Sequence, residues 1–196
     1  MEKAIMITFI SGGARSGKSS LAERMALDAA KGEKPYYIAT AAKDTGEEMA
    51  ERIALHRRDR GHVWVTIEEP YFIDQTLKHL PNKTVVLIDC LTVWTSSLMF
   101  SENLSSNEIV KRLEKTLSIA RKKEFNLFIV SNDVNEGFPI QDKYVANYIS
   151  CLEALHKRTV KEADTVLEVI CGIPVVWKIK GDLTKNVSMI SPGGIV

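Results

Sequence analysis

Cysteine is scarce and scattered. Cys90, Cys151 and Cys171 are the three in 196 residues, and their spacing gives neither a disulfide framework nor a metal-binding cluster. They read as thiols of a reducing compartment, so a cytoplasmic protein is expected. No run approaches the ~18 uncharged apolar residues needed to cross a bilayer, and the opening "MEKAIMITFI" is too short for a secretory leader. Charge of one sign is also missing. The 26 Lys and Arg stand against 25 Asp and Glu, for a formal net charge of +1, which argues against a nucleic-acid binder working by bulk electrostatics. A few local donors still suffice for a small phosphorylated ligand. Internal repeats, linkers and low-complexity blocks are absent too.

What is present is a core's worth of apolar residues, 45% of the chain, arranged as short runs between helical patterns. "AIMITFI" (4–10) reads as a strand buried on both faces. Leu21, Ala22, Met25, Ala26 and Ala29 then recur at helical spacing until Gly32 and Pro35. Further strands are expected at 35–40, 63–68, 84–89 and 127–132, with helices at about 47–60, 71–80 and 91–100. Ser105 and Glu108 form a capping-box pattern for a helix reaching Lys123, and 141–163 reads as another helix. "TVLEVICG" and "PVVWKIK" close the chain as a hairpin around Gly172–Ile173–Pro174. Strands alternating with helices predict an α/β fold, a mainly parallel sheet with helices on both faces. One domain is expected over 1–180, followed by a polar tail at 181–196. In such sheets ligands gather at the carboxyl ends of strands, here just after positions 10, 40, 89 and 132.

One of those positions carries a complete motif. Gly12, Gly13, Ala14, Arg15, Ser16, Gly17, Lys18 and Ser19 satisfy G-x-x-x-x-G-K-[ST] between a strand and a helix. Glycines let successive backbone N–H groups converge on phosphate oxygens, and the helix N-terminus adds a favourable dipole. Lys18 is expected at the β- and γ-phosphates and the Ser19 hydroxyl in a Mg²⁺ shell. Asp89, ending "TVVLID", is the candidate acidic partner of that ion, with a helix N-cap as its alternative role. The loop predicts a nucleoside triphosphate site and leaves the phosphate acceptor undefined.

A second feature lies in "EEMAERIALHRRDRGHVW". Met49, Ile53, His56 and Arg60 share one face of the predicted helix, with Arg57 and Arg58 alongside. Cations crowded around an imidazole favour its neutral form and leave a ring nitrogen free as a nucleophile. Spacing alone keeps open the other reading, an ordinary histidine on a basic helix. His62 reads as structural or exposed, and His79 and His156 have no sequence neighbours that imply chemistry.

Together, "FISGGARSGKSSLAE", "YYIATA", "EEMAERIALHRRDRGHVWVTIEEP", "VLIDCLTVWTSSLMF" and "VSNDV" resemble, in order, the cobinamide kinase/cobinamide-phosphate guanylyltransferase family. The likeness runs from about residue 5 to 180. It implies a RecA-like P-loop fold and an enzyme that phosphorylates adenosylcobinamide with ATP or GTP. GMP from GTP is then transferred to the new phosphate through a guanylylated histidine, which matches His56. It also implies nucleotide contacts by the loop, by Arg57 or Arg60, and by Glu69 and Asp89, Mg²⁺ at Ser19 and Asp89, and a homo-oligomer, a trimer by preference. Three departures stand out. Ser97 replaces the family's Asn, Asn135 interrupts its N-E-V-G-x-G pattern, and 149–157 reads "ISCLEALHK", with Ser150, Glu153, His156 and Lys157 where Asp, Gly, Asn and Gln are expected. A kinase retaining only the phosphoryl step or acting on another alcohol, and a non-catalytic nucleotide switch, are the competing expectations.

Overall fold

The computed structural model describes residues 5–41, 61–134 and 142–180. The predicted helix at 47–60, with His56, Arg57 and Arg60, lies outside them, as do Asn135 and the tail at 181–196.

Seven strands form one sheet: β1 Ile7–Gly12, β2 Tyr36–Ala39, β3 Val65–Glu68, β4 Val85–Asp89, β5 Asn126–Asn132, β6 Thr165–Ile170 and β7 Ile173–Ile179. Their order is β3-β2-β4-β5-β1-β6-β7. Every neighbouring pair is parallel except the closing β6–β7 hairpin. The continuous apolar runs have a simple cause, because both faces of the central strands are covered. Along β1, Ile7 and Phe9 face one core layer while Ile10 faces the other. Residues on β4 and β5 alternate in the same way.

Helix α1, Lys18–Ala30, packs Leu21, Ala22, Met25, Ala26 and Ala30 onto one face with Trp64 and Tyr37. The other face carries α2 (Ile73–His79), α3 (Leu91–Ser96), α4 (Ser106–Lys122) and α5 (Lys143–Glu162). The expected α/β sheet with helices on both faces and a C-terminal hairpin is therefore observed. The Ser105–Glu108 capping box forms in full. Asp142 caps α5 by accepting from the Tyr144 and Val145 amides at 2.7 and 3.2 Å.

Two boundaries differ from expectation. The run 63–68 is a strand only from Val65; Gly61–Val63 forms a short 3₁₀ turn. Trp64 turns inward there and meets Tyr37 edge to face at 5.5 Å. The predicted helix at 91–100 splits, with α3 passing into a wider turn over Ser97–Ser101. Ser97 opens this turn and its carbonyl accepts the amide of Glu102, five residues on.

Parallel pairing brings the carboxyl ends of β1 to β5 to one edge of the sheet. Gly12 lies in register with Asn132, and Ala39 lies between Glu68 and Asp89. Asp89 sits two strands from β1, or ~10 Å at ordinary strand spacing, with the end of β5 in between.

Candidate active site

The glycine loop follows β1 directly. Gly12 has φ +154°, and a Cβ placed there would lie 2.5 Å from the Val169 carbonyl oxygen and 2.7 Å from Ser16 Oγ. Only glycine fits this passage between β6 and the loop. Inside the loop the Ser16 amide donates to the Gly13 carbonyl at 3.2 Å. Gly17, at φ +90°, starts α1. The hairpin turn braces the loop from outside, the Gly172 amide donating to the Ser16 carbonyl at 2.9 Å. Ser16 Oγ is buried with no hydrogen-bond partner among the described residues.

Lys18 is the first residue of α1 and is buried. Its Nζ donates to the Gly13 carbonyl at 3.0 Å, which folds the ammonium back over the loop. Ser19 is half-buried in the first turn, whereas Ala14 and Arg15 are exposed. The arrangement is a concave backbone turn at a helix N-terminus with one ammonium over it, a geometry suited to polyphosphate.

Asp89 ends β4, and the peptide to Cys90 is cis. Cys90, not Asp89, is the N-cap of α3 and makes no side-chain cap. The Asp89 carboxylate instead accepts the Tyr37 hydroxyl on Oδ2. Trp64 packs on Tyr37, so an inward aromatic pair orients the acidic group. A tyrosine in a run of buried strand residues implies a polar partner, and the sequence alone does not say which residue it is. Thr40, just past β2, fastens the next peptide, with its Oγ1 2.8 Å from the Cys90 amide and 2.9 Å from the Cys90 carbonyl. Burial, reinforced by the negative Asp89, pushes the Cys90 thiol up to about 11. The thiol stays protonated and is unsuited to act as a nucleophile.

Glu69 lies just beyond β3 at the same edge, but its carboxylate serves the fold. Oε1 accepts from the Tyr71 and Phe72 amides at 3.0 and 2.8 Å, and Oε2 accepts from Thr76 Oγ1 at 3.2 Å. These bonds close the turn that starts α2. Trp94 Nε1 and Arg112 also pin this turn, each donating to the Tyr71 carbonyl at 3.2 Å.

His62 is exposed, as expected. His156 is not the isolated residue its sequence neighbours imply: Nε2 lies 2.7 Å from Ser131 Oγ near the end of β5. Its partners are distant in sequence, so only the folded chain brings them together.

No helix among the described residues is long and apolar enough to cross a membrane. The solved structure of the flagellar accessory protein FlaH from Methanocaldococcus jannaschii is similar in fold. Its TM-score is 0.51 at 11% identity, over 90% of this chain and 80% of that one. In sequence, the chain is 33% identical over 174 residues to the bifunctional adenosylcobalamin biosynthesis protein CobP of Pseudomonas aeruginosa, covering 88% of this chain and 98% of the relative. It is 28% identical over 189 residues to the bifunctional protein CobU of Escherichia coli, covering 89% and 100%. The family model for cobinamide kinase / cobinamide phosphate guanyltransferase matches residues 8–177. With the glycine loop, Lys18 and Asp89 on the expected edge of the sheet, this chain belongs to that enzyme family.

Proposed function

We propose that this protein phosphorylates the hydroxyl of adenosylcobinamide with ATP or GTP and then transfers GMP from GTP to the product. Both reactions use the same triphosphate cradle. The observation that carries this reading is the full Gly12–Ser19 loop at the carboxyl end of β1 in a chain matched to the family over 8–177.

In the first reaction the backbone N–H groups of residues 13–19 hold the phosphate tail. Lys18 leaves the Gly13 carbonyl to meet the γ-phosphoryl oxygens, where charge shifts during transfer. Arg15, exposed beside the cradle, adds a cation at its rim. In the second, a neutral nitrogen of His56 attacks the α-phosphorus of GTP. The N–P bond forms as the bond to the leaving pyrophosphate oxygen breaks. An oxygen of cobinamide phosphate then attacks the phosphoramidate and frees the imidazole. Two displacements replace one direct encounter between anions. Arg57 or Arg60 contributes charge to the phosphates from the same segment, and Glu69 holds the neighbouring turn in place.

The oxygen donors fit Mg²⁺, a hard cation that keeps few protein ligands when it arrives with a nucleotide. Ser19 offers a hydroxyl, and Asp89 a carboxylate whose Oδ2 is oriented by the Tyr37 hydroxyl. Held by Ser19 and Asp89, such an ion would supply charge neutralisation to the phosphate tail. The buried thiols Cys90 and Cys151 fit a cytoplasmic protein. A homotrimer with its sites near subunit boundaries completes the proposal.

Mass spectrometry of the protein mixed with GTP and Mg²⁺, with and without adenosylcobinamide, tests the reading. The expected result is a GMP adduct on His56 and, with the corrinoid added, both its phosphate and its GDP derivative. Corrinoid phosphate without an adduct would restrict the protein to the kinase step. Neither product would refute the proposal.

A further inference from the structure

His156 projects from α5 to the end of β5, the strand lying between the glycine loop and Asp89. Its ring contacts Phe9 of β1 at 5.2 Å between centroids. Nε2 is 2.7 Å from Ser131 Oγ, which is 3.1 Å from Thr92 Oγ1 in the first turn of α3. Thr92 Oγ1 also accepts the Asn132 amide at 2.8 Å, and the Thr92 carbonyl accepts the Tyr148 hydroxyl at 3.0 Å. One residue further on, the Asp133 amide donates to the Gly12 carbonyl at 3.0 Å. Three successive residues, 131–133, are thus tied to α5, α3 and the glycine loop in turn. Ser131 is fully buried and Thr92 nearly so, so the pattern must be satisfied internally.

Each hydroxyl has one proton to give. Thr92 accepts from the Asn132 amide and gives its proton to Ser131; Ser131 gives its own to Nε2, which must then be bare. In the opposite order the ring donates to Ser131 and Ser131 to Thr92. Thr92 Oγ1 then accepts from both Ser131 and the Asn132 amide, and its own proton has no acceptor within this network. A charged imidazole permits only that poorer order.

We infer that His156 is a positioning residue of the nucleotide site: as a neutral ring protonated on Nδ1, it holds Ser131 and Thr92 so that the end of β5 and the start of α3 stay aligned with the glycine loop. Burial holds the ring below the ordinary imidazole value, against the opposing pull of Asp133 and of Glu153 one turn back on α5. Glu153 is itself paired with Lys157 at 3.7 Å. The role rests on the enzymatic reading above, and it belongs to a residue that departs from the resembling family's Asn.

Nitrogen-15 NMR of the histidine-labelled protein at neutral pH reads the ring directly, and the expected state is the Nδ1–H tautomer with an accepting Nε2. An Nε2–H tautomer or a charged ring would overturn the inference while leaving the proposed activity untouched. Absence of turnover with the expected tautomer would count against the activity alone. Kinetics of phosphoryl transfer supply the second readout. His156→Leu should lower kcat about tenfold with the nucleotide KM within about twofold. His156→Gln, which accepts without titrating, should recover most of kcat and lose the acidic limb that His156 imposes. A Leu variant with wild-type kcat and pH profile, or a Gln variant as impaired as Leu, would contradict the role. Should Leu fail to fold, the wild-type tautomer and the Gln profile still decide.

Discussion

At Gly12 and Gly13 the same residue type has two different reasons to be there. A methyl group at Gly12 would press on a backbone oxygen at 2.5 Å, whereas a Cβ at Gly13 would meet nothing within 4 Å. Gly12→Ala must therefore move β6 or the loop and should cost about 2–4 kcal/mol, in line with strain and overpacking in a closed site. Gly13→Ala in the ligand-free protein should stay within about 0.5 kcal/mol of wild type. Thermal melts of the two variants check this, and equal losses would show that the Gly12 passage is not as tight as described. The turn between β1 and α1 was legible because its motif is contiguous, eight residues in a row ending in the first turn of the helix. Tyr37 and His156 were not. Their roles depend on Asp89, 52 positions from Tyr37, and on Ser131, 25 positions from His156, and hydrophobic periodicity carries no record of such partners. Glu69 has a place in a motif block that implies ligand contact, and in the fold its oxygens close the chain's own turn.

The elements are held at their other end by a second polar node. Asp164, just before β6, accepts on Oδ2 from the Ile7 amide at 2.9 Å and from Arg121 of α4 at 2.7 Å, while Lys180 lies 3.6 Å from Oδ1. Backbone bonds reinforce it: the Asp164 amide donates to Ile7 O and the Lys180 amide to Asp164 O. Burial alone would raise this carboxyl, but the Arg121 and Ile7 hydrogen bonds and the Lys180 charge outweigh it. The native value lies below the ordinary 3.8. The native state consequently binds fewer protons than the unfolded chain around that value. Its stabilising contribution is complete above the ordinary value and fades as pH falls through the native one. Asp164→Asn should destabilise by about 2 kcal/mol at neutral pH, with the gap to wild type closing below about pH 4. Denaturant melts at both pH values check it. A gap that widened in acid would contradict the sign. Helix starts written into local chemistry, such as the Ser105–Glu108 box, were readable. The late start of β3 was not, because Trp64 gives up a strand position to pack on Tyr37.

For the whole molecule, strand-and-helix alternation was enough to give the fold class, yet it left the strand order open. That order, with β5 between β1 and β4, puts the Ser131–Asp133 segment between loop and carboxylate and gives His156 its reach. The edge strand β7 leaves Ile173, Val176 and Trp177 exposed, on the opposite flank of the sheet from β3. The site's proposed economy is that one cradle serves two reactions while one histidine serves only the second. Steady-state assays of both half-reactions in Lys18→Ala and His56→Ala test this most directly. The account predicts that Lys18→Ala depresses phosphoryl and guanylyl transfer together by about 100-fold or more, and that His56→Ala abolishes guanylyl transfer and its protein adduct while ATP still phosphorylates the corrinoid. Guanylyl transfer surviving in His56→Ala, or Lys18→Ala sparing either reaction, would contradict it.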